Sequence, residues 1–258
     1  MALRSSLVAV FGFALLALSS LANATSDATL KRLLRRDIVV PRAPSDIAFA
    51  EGLFTPSWEF DTGLSYTDPD GPGSAWEVPL SLAYQFTPLD SLKFTTGFIR
   101  NSDGTKQSNG ADDFGVRYMH KFDFGSSAWS SSVALSAVAP SGGSVGSTAA
   151  RQSVQGALGY DLYKDWNLAG VVAVIHVDNT PVGVDKIGER YAVIAAWKSI
   201  ASLTLYRDER NGKVGTTTAE FEYDFNFTKT LGGALVVDSG LTNQHRDNSL
   251  EFDLAFTF

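Results

Sequence analysis

The chain has 258 residues, of which 44% are hydrophobic and 19% charged, with no cysteine and a formal net charge of −7. This hydrophobic fraction is typical of folded proteins and excludes a disordered chain. Without cysteine there is no disulfide, no thiolate-bound metal and no thiol nucleophile. His120, His176 and His245 are far apart in the sequence, so we expect no histidine metal site.

The first 24 residues have the pattern of a secretory signal peptide. Arg4 precedes a continuous apolar run at Leu7–Leu18, and Ala22-Asn23-Ala24 supplies the small residues that a signal peptidase recognises. The run is shorter than the roughly 20 residues that a membrane-spanning helix needs. We therefore expect export and cleavage after Ala24, which removes residues 1–24.

Residues 25–55 do not follow a strand pattern and are predicted to be a periplasmic leader. Asp27–Asp37 places leucines at helical spacing beside basic residues, so a short amphipathic helix is expected there. Residues 25–46 hold five basic and three acidic groups, whereas residues 47–258 hold 15 basic and 25 acidic groups. Two interpretations stay open: an unattached periplasmic leader, or a basic plug that inserts into an acidic lumen.

From residue 56 onward the chain alternates between apolar and polar side chains. Asn248–Phe258 places five large apolar residues on one face of a strand and Glu251 and Asp253 on the other. Such segments fit either a soluble β-sandwich or a transmembrane barrel. Segment lengths near ten residues, and aromatic side chains at the segment ends, favour the barrel.

Twelve such segments are predicted, with ten strands as the alternative. They are residues 56–67, 75–87, 91–100, 111–123, 128–140, 150–161, 165–177, 189–198, 200–207, 216–227, 229–238 and 247–258. Short and long connections alternate between them, and the long ones are rich in turn-forming residues. The sequence therefore predicts an all-β fold over residues 56–258: a transmembrane, antiparallel, up-and-down β-barrel of the bacterial outer membrane. Trp58, Trp129, Trp166 and Trp197 are expected at its periplasmic interface.

If the apolar faces point to lipid, the opposite faces line the lumen. The candidate lumen-lining residues are Glu59, Asp61, Glu77, Asp113, Arg117, Lys121, Glu220, Glu222, Asp224, Glu251 and Asp253. Lys93, Arg151 and Lys198 are expected on the same faces. An acidic wall facing a basic strip would favour cations or polarised solutes. The alternative is a set of charge pairs that seal the interior.

One motif calls for a test of enzymatic activity. Lys106–Gly110 is similar to the His-x-Ser-Asn-Gly signature of outer-membrane phospholipase A, but Lys106 stands where that signature has its histidine base. Ser108 without a base is a weak nucleophile, so a lipid hydrolase is the least favoured function. The sequence has no phosphate loop or dinucleotide fingerprint, and its acidic charge argues against nucleic acid. We expect a non-enzymatic protein without a cofactor.

Several short motifs carry a family resemblance. They are Ala111–Tyr118 (ADDFGVRY), Val138–Gly142 (VAPSG), Asp238–Asn243 (DSGLTN) and a last strand ending in Phe258. Their order resembles the outer-membrane barrels grouped as the MetA-pathway of phenol degradation family, although Arg246-Asp247 stands where a proline-containing loop is more usual. The resemblance implies a channel or transporter for a small solute, aromatic or hydrophobic in some members, and no catalytic residues. A sealed structural or loop-binding barrel is the alternative.

The expected partners follow from this fold. They are outer-membrane lipid, the small-molecule solute and the barrel-assembly machinery. Phe258 resembles the terminal aromatic residue of the sorting signal by which outer-membrane barrels are assembled, so we expect it to be the assembly signal.

Overall fold

The computed structural model describes residues 54–68, 73–102, 106–125, 128–142, 145, 149–163, 165–179, 183, 185–198, 200–211, 215–228, 230–242 and 247–258. Residues 1–53, which hold the predicted signal peptide and most of the predicted leader, lie outside the described residues. Within the described ranges, no helix has the length and apolar character needed to cross a membrane.

The described residues form thirteen β-strands. They are β1 (Ser57–Asp68), β2 (Ser74–Gln85), β3 (Asp90–Ser102), β4 (Gln107–Ala111), β5 (Phe114–Phe122), β6 (Trp129–Ala139), β7 (Arg151–Tyr163), β8 (Trp166–Val177), β9 (Ile187–Trp197), β10 (Ala201–Glu209), β11 (Thr216–Asn226), β12 (Leu231–Gly240) and β13 (Asn248–Thr257). Their period-two alternation puts one set of side chains on each face of the sheet.

The strands close into an antiparallel barrel. From β5 to β13 each strand pairs with the next one in the sequence, and β13 pairs with β1. On the other side, β3 pairs with both β2 and β5. The closing register runs from Glu59 opposite Thr257 to Asp68 opposite Asn248. Because β4 and β5 both pair with β3, they share one position in the ring, which has twelve positions. The predicted twelve-stranded up-and-down barrel is confirmed.

The predicted single strand over residues 111–123 is interrupted, and this part of the prediction is wrong in detail. The β3 partner register changes from Phe98 opposite Ala111 to Thr95 opposite Gly115, so the chain holds one extra residue at Asp112-Asp113. Such an insertion is a β-bulge. The Asp112 carboxylate accepts the Asp113 backbone N–H at 2.7 Å, a local bond that replaces part of the interrupted ladder. Alternation alone cannot reveal such a break.

Connections alternate in length around the barrel, as predicted. At the end where β1 begins they span 2 to 6 residues, and at the opposite end 4 to 11 residues. We call these the turn end and the loop end. Trp58, Trp129, Trp166 and Trp197 all lie in the strands at the turn end. The Trp58 ring stacks on Tyr84 at 4.4 Å between centroids, and such aromatic girdles mark a membrane interface.

The outer face of the barrel is apolar. Phe98, for example, exposes 61% of its surface. Other large apolar side chains are exposed on the same face, among them Leu64, Val154, Leu158, Val172, Val193, Leu203, Phe221, Leu250 and Phe252. A continuous belt of this kind is unfavourable against water, at about 25 cal/mol per Å². It is favourable against the hydrocarbon of a bilayer.

Candidate functional site in the barrel lumen

The inner face of the barrel holds the buried polar side chains. Eight of the predicted lumen residues are buried there: Asp61, Glu77, Asp113, Arg117, Glu220, Glu222, Glu251 and Asp253. Glu59 is exposed, while Lys121 and Asp224 are half-buried, and all three lie toward the turn end. These three occupy the same strand face as the buried residues, so they lie at the mouth of the lumen.

Lys198 does not lie in the lumen, and that expectation is wrong. It falls in the turn after β9 with φ at 53°, so strand alternation does not reach it. Its Nζ lies 3.6 Å from the Asp165 carboxylate and 5.1 Å from the centroid of the Trp197 ring. It therefore belongs to the aromatic girdle at the turn end.

Carboxylates cover the inner face of five consecutive strands, β11, β12, β13, β1 and β2, which we call the acidic arc. Its buried members are Glu220, Glu222, Asp238, Glu251, Asp253, Asp61 and Glu77. Asp238 lies directly opposite Glu220 and accepts a hydrogen bond from the Ser249 hydroxyl at 2.6 Å. The Ser81 hydroxyl donates to Asp61 at 2.7 Å. Neutral donors of this kind satisfy carboxylate oxygens but leave the negative charge in place.

A short basic strip borders the acidic arc on β3 and β5. Lys93 and Arg117 lie opposite each other in the β3–β5 register, and Arg117 exposes only 1% of its surface. The Lys93 Nζ lies 3.7 Å from the Asp61 carboxylate. Buried cations are stable only beside opposite charge, so this strip and the acidic arc support each other.

Asp113 forms a hydrogen bond with a connecting segment at the loop end of the barrel. Its carboxylate accepts the backbone N–H of Ser141 at 3.0 Å. Ser141 is the second residue of the connection between β6 and β7, the longest at the loop end. The bulge at Asp112-Asp113 therefore anchors the start of this loop against the barrel.

Sequence reasoning missed an apolar part of the inner wall, on β8, β9 and β10, which we call the apolar sector. Its buried members are Ala169, Val171, Ala173, Ile175, Ala192, Ile194 and Tyr206. The signal was present in β8, where Leu168–Ile175 is apolar or glycine at consecutive positions. Such a run is typical of a strand that is apolar on both faces.

An ion pair between a buried arginine and a half-buried aspartate borders the apolar sector toward the loop end. The guanidinium of Arg190 on β9 donates two hydrogen bonds to Asp208 on β10, one of them 2.6 Å from Nη2 to Oδ2. It also lies 5.0 Å from the centroid of the Tyr206 ring. The bidentate geometry and the aromatic contact make this a strong link between the two strands.

The acidic arc and the apolar sector face each other across the lumen. Counting around the ring, β9 is six strands from β2 in either direction, so the two strands lie on opposite sides. β6 and β7 contribute Ser132, Ser136, Ser153 and Gln155 between the basic strip and the apolar sector. The wall thus changes around its circumference from acidic to basic, then hydroxyl-rich, then apolar.

A small cavity lies within the acidic arc. Its volume is about 30 Å³, room for one or two water molecules. The polar residues that line it are Asp61, Thr62, Ser81, Lys93, Thr95, Glu222, Glu251 and Asp253, and the apolar ones are Pro79, Leu80 and Val236. Four carboxylates and one ammonium group are therefore among the lining groups.

The described residues do not assemble the catalytic pair of a lipid hydrolase. Ser108 lies in β4 opposite Asn101, whereas His120 pairs with Asp90 at the far end of β3. Those two positions on β3 are separated by about 36 Å at the usual rise per strand residue. His176 lies on β8, 3.3 Å from Asp178. Within the described ranges, no group of three or more His, Asp or Glu residues could hold a metal ion.

The fold is that of outer-membrane β-barrels. No protein-family model matches the sequence. No curated protein matches it either. Among solved structures, an outer-membrane channel from Pseudomonas putida F1 superposes with a TM-score of 0.62 at 13% identity, covering 79% of this chain and 95% of that one.

Two porins have the same fold. The KdgM porin superposes with a TM-score of 0.51 at 12% identity, covering 77% of this chain and 99% of that one. The NanC porin gives a TM-score of 0.51 at 15% identity, covering 76% and 98%. At these identities the likeness concerns the architecture of the barrel.

Proposed function

We propose that this chain is an outer-membrane channel for a small solute. The observation that carries the proposal is the closed barrel with an apolar outer belt and a strongly polar inner wall. A soluble protein would gain nothing from burying its charges and exposing its large apolar side chains. The likeness in fold to an outer-membrane channel and to two porins supports the same class of function.

The apolar sector supports an aromatic or hydrophobic solute. A lumen made for ions and sugars alone does not need Val171, Ile175 and Ile194 on its inner wall, where each is buried. The small side chains of Ala169, Ala173 and Ala192 extend only a short way from this wall into the lumen. A flat apolar group could lie against such a surface without displacing charged side chains, since dispersion and apolar burial need no directional partner.

The proposal includes a route to the membrane. A cleaved signal peptide of residues 1–24 would direct export, and the barrel-assembly machinery would insert the chain among outer-membrane lipids. Phe258 exposes 71% of its surface at the turn end, and its backbone N–H donates to the Trp58 carbonyl at 2.9 Å. An exposed aromatic side chain beside the seam between β13 and β1 is available for recognition during assembly.

A sealed barrel is the second candidate function, and a specific observation favours it. The charged residues of the inner wall are largely buried, and the cavity within the acidic arc has a volume of about 30 Å³. Such a barrel would act through its loops or as a structural element. Closed interiors filled with charged side chains are found in small outer-membrane barrels.

Liposome swelling separates the two candidates. The full exported chain is reconstituted in liposomes loaded with an impermeant polymer, and arabinose or glycine is added outside. A channel gives a swelling rate above that of protein-free liposomes, and larger sugars give a lower rate. A folded barrel, verified by heat-modifiable mobility, that gives no swelling would overturn the channel and leave the sealed barrel.

A further inference from the structure

We propose that the lumen binds a small organic cation, with its ammonium group among Asp61, Glu222, Glu251 and Asp253 and its apolar body directed toward the apolar sector. The proposal rests on the proposed channel function and names the class of solute. It joins two features that the wall holds on opposite sides, the cavity in the acidic arc and the apolar sector.

The charge at the cavity attracts a cation. Its lining holds four carboxylates and one ammonium group, that of Lys93, whose Nζ lies 3.7 Å from Asp61. The formal charge of the lining is therefore −3. The acidic arc continues beyond the cavity on β2, β11 and β12 with Glu77, Glu220 and Asp238. Inside a protein, where screening is weaker than in water, such an arrangement gives a negative potential over the whole arc.

Thr95 gives an independent indication of a ligand. It exposes 6% of its surface, it lines the same cavity, and its Oγ1 has no hydrogen-bond partner among the described residues. Buried hydroxyl groups nearly always have a partner. A primary ammonium group has three N–H donors, so it can bond to the Thr95 hydroxyl while it contacts the carboxylates.

The apolar sector, on the wall opposite the cavity, favours a cation with an apolar organic group over an inorganic ion. β9 lies across the lumen from β2, and its inner face carries Ala192 and Ile194 beside Val171 of β8. An inorganic ion gains nothing from this surface. An ammonium compound with an aromatic or aliphatic body would place its charge at the cavity and extend its apolar surface away from the acidic arc, toward the apolar sector.

The cation at the cavity could come from two sources, a solute or the basic segment of the chain itself. Lys31, Arg32, Arg35 and Arg36 precede the barrel in the sequence and also carry cationic N–H donors, an ammonium on the lysine and guanidinium groups on the arginines. Deleting residues 25–46 distinguishes the sources. If the affinity for an added cation is unchanged, the site serves a solute. If the affinity rises, the site also accepts the basic segment of the chain, which competes with the solute.

Isothermal titration of the detergent-solubilised barrel with benzylammonium tests the site without requiring flux. Methylammonium, which lacks the apolar body, and benzyl alcohol, which lacks the charge, should each bind more weakly by roughly tenfold or more. Equal affinity for benzylammonium and benzyl alcohol would overturn the proposal, and so would no binding of benzylammonium. Because the titration does not depend on transport, a failure here is distinct from a failure in liposome swelling.

Matched variants locate the site. Asp61→Asn should weaken benzylammonium binding by roughly tenfold, whereas Asp68→Asn removes a carboxylate from the exposed end of the same strand and should leave binding unchanged. Thr95→Val keeps the shape of the side chain and should weaken binding severalfold. Val171→Asn should weaken benzylammonium but not methylammonium. If Asp61→Asn, Thr95→Val and Val171→Asn retain heat-modifiable mobility and bind benzylammonium as tightly as the unchanged chain does, the assignment is contradicted.

Discussion

Gly63 is the position where the close packing of the inner wall can be tested most sharply. It lies in β1 opposite Asp253 of β13, and a Cβ built on it would come within 3.0 Å of both the Asp253 carboxylate and the Phe252 carbonyl oxygen. Real Cβ atoms essentially never approach so closely, and a carbonyl oxygen in a strand ladder cannot rotate away. Gly63→Ala must therefore separate β1 from β13 at the seam that closes the barrel.

The expected cost follows from overpacking. Forcing one extra methyl group into a filled site costs about 1–3 kcal/mol. Gly156 is the control, since a Cβ there meets nothing within 4 Å. Relief of the conformational entropy of glycine should make Gly156→Ala neutral or more stable by up to about 1 kcal/mol.

The free energy of unfolding is measured by urea titration of the barrel in lipid vesicles, followed by tryptophan fluorescence. Gly63→Ala should unfold at a lower urea concentration than the unchanged chain, and Gly156→Ala at an equal or higher one. If Gly63→Ala were as stable as Gly156→Ala, the close approach of β1 and β13 would be refuted.

Three further predictions concern single side chains. Asp90 accepts hydrogen bonds from Thr87 and Tyr118, each at 2.6 Å, so Asp90→Asn should lower the free energy of unfolding by about 1–2 kcal/mol in the same urea assay. Arg190→Ala should cost about 1.5–3 kcal/mol because it removes two charge-assisted hydrogen bonds from the half-buried Asp208 carboxylate. Arg207→Ala, which breaks the exposed pair between Arg207 and Glu209 at 2.5 Å, should lower the free energy of unfolding by only about 0–1 kcal/mol. If Arg190→Ala and Arg207→Ala lowered it equally, the greater strength of the Arg190–Asp208 pair would be contradicted. Phe258→Ala should reduce the amount of heat-modifiable, folded barrel recovered from the outer membrane. An unchanged amount would contradict the role of Phe258 in assembly.

The barrel could be predicted from the sequence because lipid imposes one rule on every strand. Each segment must place apolar side chains outward at every second position. β11 and β13 do so without exception over their central residues, and β1 does so except at Thr62. Tryptophans at the turn end and alternate connection lengths add independent information. The number of ring positions follows from counting such segments.

The inner wall was harder to predict, because alternation identifies a face only when the two faces differ. β8 is apolar on both faces, so the apolar sector could not be separated from the lipid-facing surface. Asp238 was missed because it follows the apolar pair Val236-Val237 and is itself followed by the turn-forming Ser239-Gly240 at the end of β12. Asp112-Asp113 places two polar residues in succession, but only the pairing with β3 reveals that the register shifts there by one residue.

Single-channel recording across a planar bilayer tests whether the barrel is an open channel. We expect stepwise conductance from the refolded barrel, with a reversal potential in a KCl gradient that shows preference for the cation, because carboxylates outnumber basic groups on the inner wall. Asp253→Asn should move the reversal potential toward zero. A correctly folded barrel that gives no conductance, or one that prefers chloride, would contradict the account.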